Sequence, residues 1–122
     1  MIGYVTLGTK DLKRAAGFYD ALLKEIGAKR FMESDSFIAW GVGPDRPSLG
    51  VIYPFDGKPA TVGNGVMVAL AVDSQDKVNK LHQKAMQLGA SDEGAPGARG
   101  DGFYAGYFRD LDGHKLNFFF LG

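Results

Sequence analysis

The chain carries the same order of structural elements twice, and this duplication constrains its fold more than any other feature. In residues 11–27, apolar side chains recur at the 3.6-residue spacing of an amphipathic helix, between an aspartate suited to an N-cap and a glycine suited to a C-terminal stop. Residues 74–89 repeat the pattern, with a serine cap and again a terminal glycine. The sequence therefore predicts two equivalent helices.

Strand-like runs precede and follow each predicted helix. The predicted strands are residues 4–8, 28–32, 37–42 and 49–53 in the first half, and 66–72, 90–93, 103–109 and 115–121 in the second. Asp112-Gly113 is a strong hairpin signal between the last two. The sequence predicts a single domain of residues 1–122, made of one βαβββ module (1–54), a Pro/Gly-rich linker (55–65) and a second βαβββ module (66–122).

One helix cannot cover both faces of the sheet in its module, so the other face must be buried by the second module or by a partner chain. The predicted class is α+β, with two βαβββ modules forming curved mixed sheets around a cleft of ligand size. A ferredoxin-like βαββαβ sandwich is the alternative, but it leaves surplus strands in each half unexplained.

Composition and charge argue against several classes of function. A formal net charge of zero disfavours nucleic acid as a partner. No apolar run reaches the roughly 20 residues of a membrane span, and the amino terminus does not resemble a signal peptide, so we expect no membrane partner. The absence of cysteine removes disulfides, thiolate catalysis and Cys-based zinc sites, and a cytoplasmic protein is expected.

Several segments resemble a known family. Residues 4–7 (YVTL), 69–73 (ALAVD) and 109–116 (RDLDGHKL), set in the repeated modules, resemble the vicinal oxygen chelate superfamily, which includes glyoxalase I, extradiol dioxygenases and bleomycin-resistance proteins. Residues 55–65 and 93–99 are similar to its short glyoxalase-like subgroup. The resemblance implies metal ligands on the first and last strands of each module. Three of those positions hold Tyr4, Met67 and Asn117.

A phenol, a thioether and a neutral amide are poor ligands for Zn²⁺, Ni²⁺, Mn²⁺ or Fe²⁺, which require imidazole or carboxylate donors. We therefore expect no metal or other cofactor, and a divalent metal at a displaced site is the remaining alternative. The two histidines do not suggest such a site. His82 is expected to be partly exposed on its helix and His114 to face solvent beside a turn, with no carboxylate spaced to join them.

The resemblance and the alternation of strand side chains together predict the residues of a ligand-binding cleft. Its lining is mostly apolar with a few polar groups, as small-molecule sites usually are. Trp40 either stacks on a planar ligand or packs in the core. Arg99, in a loop over 94–102, either closes over a ligand with Tyr104 and Tyr107 or is solvated. Arg109 and Asp110 are expected to form a local ion pair. The predicted cleft residues are Tyr4, Thr6, Trp40, Met67, Ala69, Arg99, Tyr104, Asn117 and Phe119.

Three functions are consistent with these observations. The first is metal-independent binding of a small organic molecule, as in the bleomycin-resistance proteins. The second is a lyase, isomerase or dioxygenase of the glyoxalase type, using either a displaced metal or Tyr4 as the acid/base group. The third is a structural or regulatory dimer with a vestigial cleft. The resemblance also implies a homodimer, because two open sheets leave apolar surface to cover.

Overall fold

The computed structural model describes residues 1–122 and contains two main helices and eight strands. The helices are α1 (Leu12–Leu23), which a short 3₁₀ turn (Lys24–Ile26) extends, and α2 (Gln75–Gln87). The strands are β1 (Tyr4–Gly8), β2 (Lys29–Glu33), β3 (Phe37–Gly41), β4 (Ser48–Ile52), β5 (Val68–Ala71), β6 (Ser91–Ala98), β7 (Phe103–Arg109) and β8 (Lys115–Leu121). The chain divides into two compact units, Met1–Val62 and Gly63–Gly122.

Both helices begin and end at the residues that the sequence predicts. The side chains of Asp11 and Ser74 each accept a hydrogen bond from the backbone N–H three residues further on, at 3.0 and 3.1 Å. Gly27 and Gly89 follow the helices with φ of 78° and 103°, in the left-handed region that glycine adopts without a Cβ clash. No helix is long and apolar enough to span a bilayer.

Each unit contains one four-stranded mixed sheet of the same topology. The strand order is β1-β4-β3-β2 in the first unit and β5-β8-β7-β6 in the second. The pairs β1–β4 and β5–β8 are parallel, and the remaining pairs are antiparallel. The predicted α+β fold with two βαβββ modules is confirmed. The ferredoxin-like alternative is wrong, because each half has four strands and one main helix.

The helix of each unit buries one face of its sheet. In the first unit, Tyr19 of α1 packs against Trp40 of β3, with ring centroids 5.5 Å apart. In the second, α2 contacts β6, β7 and β8, and the rings of Phe108 and Phe118 stack with centroids 5.5 Å apart. Both phenylalanines are fully buried. Because strand side chains alternate, each sheet has a second face that its own helix does not cover.

Two strands differ from their predicted length by more than one residue. β6 extends to Ala98, so half of the predicted 94–102 loop is strand despite its glycines and Pro96. Its pairing with β7 is irregular at Gly94 and Gly97, which accommodates these residues. β5 is shorter than residues 66–72, and Met67 lies immediately before it.

The predicted hairpin turn between β7 and β8 is confirmed. The predicted surroundings of His114 and Arg109 beside this turn are not. Asp110 Oδ1 accepts hydrogen bonds from the backbone N–H groups of Asp112 and His114, at 3.0 and 2.9 Å. His114 is buried, so the expectation that it faces solvent is wrong. The expected Arg109–Asp110 ion pair is also wrong, since Arg109 pairs with Glu93 at 2.7 Å.

Two glycines give opposite expectations for substitution by alanine. A Cβ on Gly17, exposed within α1, would meet nothing within 4 Å, so Gly17→Ala should raise the free energy of unfolding by roughly 0.5–1 kcal/mol through helix propensity. A Cβ on buried Gly106 would lie 3.0 Å from Pro96 Cγ and 3.2 Å from His82 Cδ2. Gly106→Ala should therefore cost about 1–3 kcal/mol. Urea unfolding followed by circular dichroism measures both changes, and equal effects would contradict the packing described for β7.

Candidate functional site

In the first unit, the face of the sheet that α1 does not cover carries exposed aromatic side chains. Tyr4 and Thr6 project from β1 on this face, and Tyr4 is 65% exposed. The ring of Phe37 lies 6.3 Å from that of Tyr4 and covers Gly50, where a Cβ would be 2.5 Å from Phe37 Cε1. Glycine at position 50 thus allows an aromatic ring to approach β4 closely.

Trp40 is not on this face, and its predicted role in stacking on a ligand is wrong. Its side chain points to α1, is only 1% exposed and donates from Nε1 to Asp20 Oδ1 at 2.8 Å. Packing in the core, the other interpretation of the sequence, is what the structure has. The reason is the alternation along β3, where Trp40 and Ile38 face the helix while Phe37 faces away.

In the second unit, the corresponding face contains a buried polar group. Asn117 on β8 pairs in register with Ala69 on one side and Tyr107 on the other, and Phe119 follows on the same face. Asn117 is 1% exposed, and its amide Oδ1 has no hydrogen-bond partner. Buried polar atoms are nearly always paired, so this oxygen requires an explanation.

Two cations lie close to the ring of Tyr107 beside Asn117. Arg99 Cζ is 5.5 Å from the ring centroid and Lys115 Nζ is 5.4 Å from it. Arg99 and Tyr107, which the sequence analysis placed together in a possible closure over a ligand, are thus in contact. Tyr104 does not join them, because it points to the helix face, where its hydroxyl donates to Asn79 Oδ1 at 2.7 Å. The predicted position of Tyr104 on the ligand face is therefore wrong.

His82 is a buried residue with a fixed partner set, contrary to the expectation of partial exposure. Its Nε2 lies 3.1 Å from Asp92 Oδ1 and 3.0 Å from the carbonyl oxygen of Tyr107. The pKa of Asp92 is lowered, chiefly by the backbone N–H of Gly94 and further by His82. This pair ties α2 to β6 and β7, and it lies on the helix side of the sheet.

The residues at the positions implied for metal ligands do not fit a divalent metal. Tyr4 contributes only a phenol, Asn117 only a neutral amide and Met67 only a thioether, and no group of three or more His, Cys, Asp or Glu side chains is placed to hold an ion. A hard cation requires anionic oxygen or imidazole donors. The donors present here supply neither.

A cavity of about 440 Å³ opens elsewhere in the first unit. It lies where β1 and β4 end, and its lining includes Thr9, Lys10, Tyr53 and Lys58. The hydroxyl of Tyr53 accepts a hydrogen bond from the backbone N–H of Leu12 at the start of α1, at 3.0 Å. None of the predicted cleft residues lines this cavity.

Comparison with known proteins agrees with the fold and the repeated units. The family model described as Glyoxalase/Bleomycin resistance protein/Dioxygenase superfamily matches residues 1–118. A crystal structure of a glyoxalase/bleomycin resistance protein from Albidiferax ferrireducens T118 is 32% identical, with a TM-score of 0.91, over 100% of this chain and 99% of that chain. The chain belongs to this superfamily.

More distant structures share the fold. A hypothetical protein from S. aureus is 27% identical, with a TM-score of 0.76, over 98% of this chain and 92% of that chain. A lactoylglutathione lyase from Agrobacterium tumefaciens is 18% identical, with a TM-score of 0.71, over 98% of this chain and 92% of that chain. No curated protein matches the sequence.

Sequence reasoning missed Lys115 as part of the face that carries Asn117. The signal was present, because Lys115, Asn117 and Phe119 alternate along one predicted strand and must share a face. His82 was misassigned for a similar reason. It lies four residues after Val78 on the apolar stripe of its helix, a position that favours burial.

The contact that holds Trp40 gives a pH-dependent prediction. Asp20 accepts hydrogen bonds from Arg30, at 2.7 and 2.9 Å, and from Trp40. The hydrogen bond and charge of Arg30, with the bond from Trp40, outweigh burial and lower the pKa of Asp20 below its ordinary 3.8. The carboxylate therefore adds stability above the unfolded-state pKa, and this contribution disappears as pH falls through the folded-state pKa.

We expect Asp20→Asn to reduce the free energy of unfolding at pH 7 by less than about 1 kcal/mol, since the pair is partly exposed. The difference from the wild type should shrink toward pH 3. Urea titrations at both pH values measure it. Asp45→Asn is the control, because Asp45 forms no ion pair and its substitution should show no such pH dependence. A difference that is the same at both pH values would contradict the lowered pKa.

Proposed function

We propose that this protein binds a small organic molecule, without a metal, on the face of the second sheet that carries Asn117 and Tyr107. The observation that carries the proposal is the buried amide oxygen of Asn117 without a hydrogen-bond partner. Ala69 and Phe119 flank it on the same face, so apolar side chains lie beside a polar group that would orient a ligand.

The energetic cost of burying the Asn117 amide supports a role for this side chain in ligand binding. A buried polar atom without a partner costs about 1–3 kcal/mol, and an apolar side chain of similar size would avoid that cost. A ligand hydroxyl or N–H that donates to Oδ1 would recover it. Because Asn117 is only 1% exposed, a ligand reaches this oxygen only after the groups that cover it move.

Membership of the superfamily is consistent with this role, since its members bind small molecules. The face of the first sheet that carries Tyr4 and Thr6 is a second, more exposed aromatic surface, and we propose that it also serves ligand binding. Catalysis by Tyr4 has less support. No side-chain hydrogen bond or ion pair involves Tyr4, so no neighbouring group is placed to activate its hydroxyl.

We expect Asn117→Leu to have two opposite effects. Removing the unpaired amide should raise the free energy of unfolding by roughly 1 kcal/mol. The same change should abolish the rise in melting temperature that a bound metabolite gives the wild type, a rise that corresponds to about 2.7 kcal/mol at a ligand concentration of 100 times Kd. Thermal melts against a library of small organic acids, alcohols and amines measure both effects.

Asn79→Leu is the matched control, because Asn79 lies on α2 and contacts Tyr104 on the other side of the sheet. Its substitution should leave ligand-induced shifts unchanged. If no library compound raises the melting temperature of the wild type, the proposed function is wrong. If the shifts persist in Asn117→Leu, the ligand binds elsewhere.

We also propose that the protein is a homodimer. β2 is an edge strand, all five of its residues are exposed, and Phe31 and Met32 are 56% and 51% exposed. Exposed apolar side chains on a strand edge favour pairing with another chain. A second copy of the chain is the occupant we propose, and a cytoplasmic location remains the expectation from composition.

Light scattering at micromolar concentration should give twice the chain mass of 13.1 kDa. Phe31→Asp should shift the mass to that of one chain, because a carboxylate buried in an apolar interface is costly. Phe55→Asp is the control, since Phe55 is also fully exposed but lies outside the strands. A wild-type mass of 13.1 kDa would exclude the dimer.

A further inference from the structure

The face of the second sheet proposed above to bind a ligand carries two cations without carboxylate partners. The ion pairs of the protein include neither Arg99 nor Lys115. Arg109, on the same face, is neutralised by Glu93 at 2.7 Å. The local charge around Tyr107 is therefore positive, although the whole chain has a formal net charge of zero.

Arg99 is held in place by the backbone of β6. Its Nη2 donates to the carbonyl oxygen of Ala95 at 2.6 Å. A Cβ on Gly97 would lie 2.9 Å from Arg99 Nη1, and one on Gly94 would lie 3.4 Å from Nη2. The absence of side chains at these two positions thus lets the guanidinium lie close to the strand and beside the ring of Tyr107. A positioned cation loses less entropy when it binds an anion than a freely moving one does.

We infer that the ligand of this face is an organic acid, whose carboxylate is bound by Arg99 and Lys115 beside Tyr107. This inference rests on the proposed function and names the ligand class. The two cations lie over the same ring, 5.5 and 5.4 Å from its centroid, so both can reach one carboxylate and form charge-assisted hydrogen bonds with it. A hydroxyl or N–H group on the acid would donate to Asn117 Oδ1.

The test compares 4-hydroxybenzoate with 4-hydroxybenzamide, which has the same shape but no charge. Nuclear magnetic resonance titrations of the full chain follow the side-chain amide of Asn117 and the ring of Tyr107. We expect both resonances to shift, with 4-hydroxybenzoate binding about tenfold more tightly than the amide and more weakly as salt is added. Arg99→Gln and Lys115→Gln should each weaken binding of 4-hydroxybenzoate severalfold and leave binding of the amide unchanged.

Lys84→Gln is the control for net charge, because Lys84 lies on α2 and forms no ion pair. It should leave both affinities unchanged. Equal affinities of the two probes at Asn117 and Tyr107 would overturn the inference about the acid while leaving the proposed function intact. Failure of 4-hydroxybenzoate to shift these resonances would also overturn it. If, in addition, no library compound stabilises the protein, the proposed function fails too.

Discussion

Each four-stranded sheet has one helix of its own, and this constraint sorts the side chains of every strand into two sets. Residues that face the helix form the core, such as Trp40 in the first unit and Phe108 and Phe118 in the second. Residues one position along face the other way and include Tyr4, Tyr107 and Asn117. The period of two in a β-strand thus decides which residues pack against the helix of each unit and which lie on the opposite face.

The sequence predicts the order of elements well because its signals are local. The capping residues Asp11 and Ser74 and the glycines that follow each helix specify the helix ends through their own backbone and side-chain chemistry. β7 and β8 match their predicted bounds because aromatic residues are dense on both sides of an Asp-Gly turn. Local chemistry is sufficient for these features.

The face that each side chain takes is harder to predict, since it depends on where the helix packs. Trp40 and Tyr104 are aromatic residues on predicted strands, and nothing in their types distinguishes a core position from a ligand-facing one. Their strand neighbours do carry information. Tyr104, Gly106 and Phe108 alternate onto one face, and Phe108 belongs to the core. The predicted length of β6 is too short because its glycines and Pro96 favour turns. Pairing with β7 overrides that preference in the structure.

The duplication of topology does not extend to the chemistry of the two faces. The equivalent surface of the first sheet has Phe37 lying on Gly50 beside the exposed ring of Tyr4. In the second sheet the surface has a buried amide and two cations around Tyr107. A buried oxygen without a hydrogen-bond partner reduces stability, whereas Tyr4 and Phe37 on the first sheet carry no such cost. Because the two units share one fold, the strand topology alone does not require this difference, and the ligand binding proposed for the second sheet would account for it.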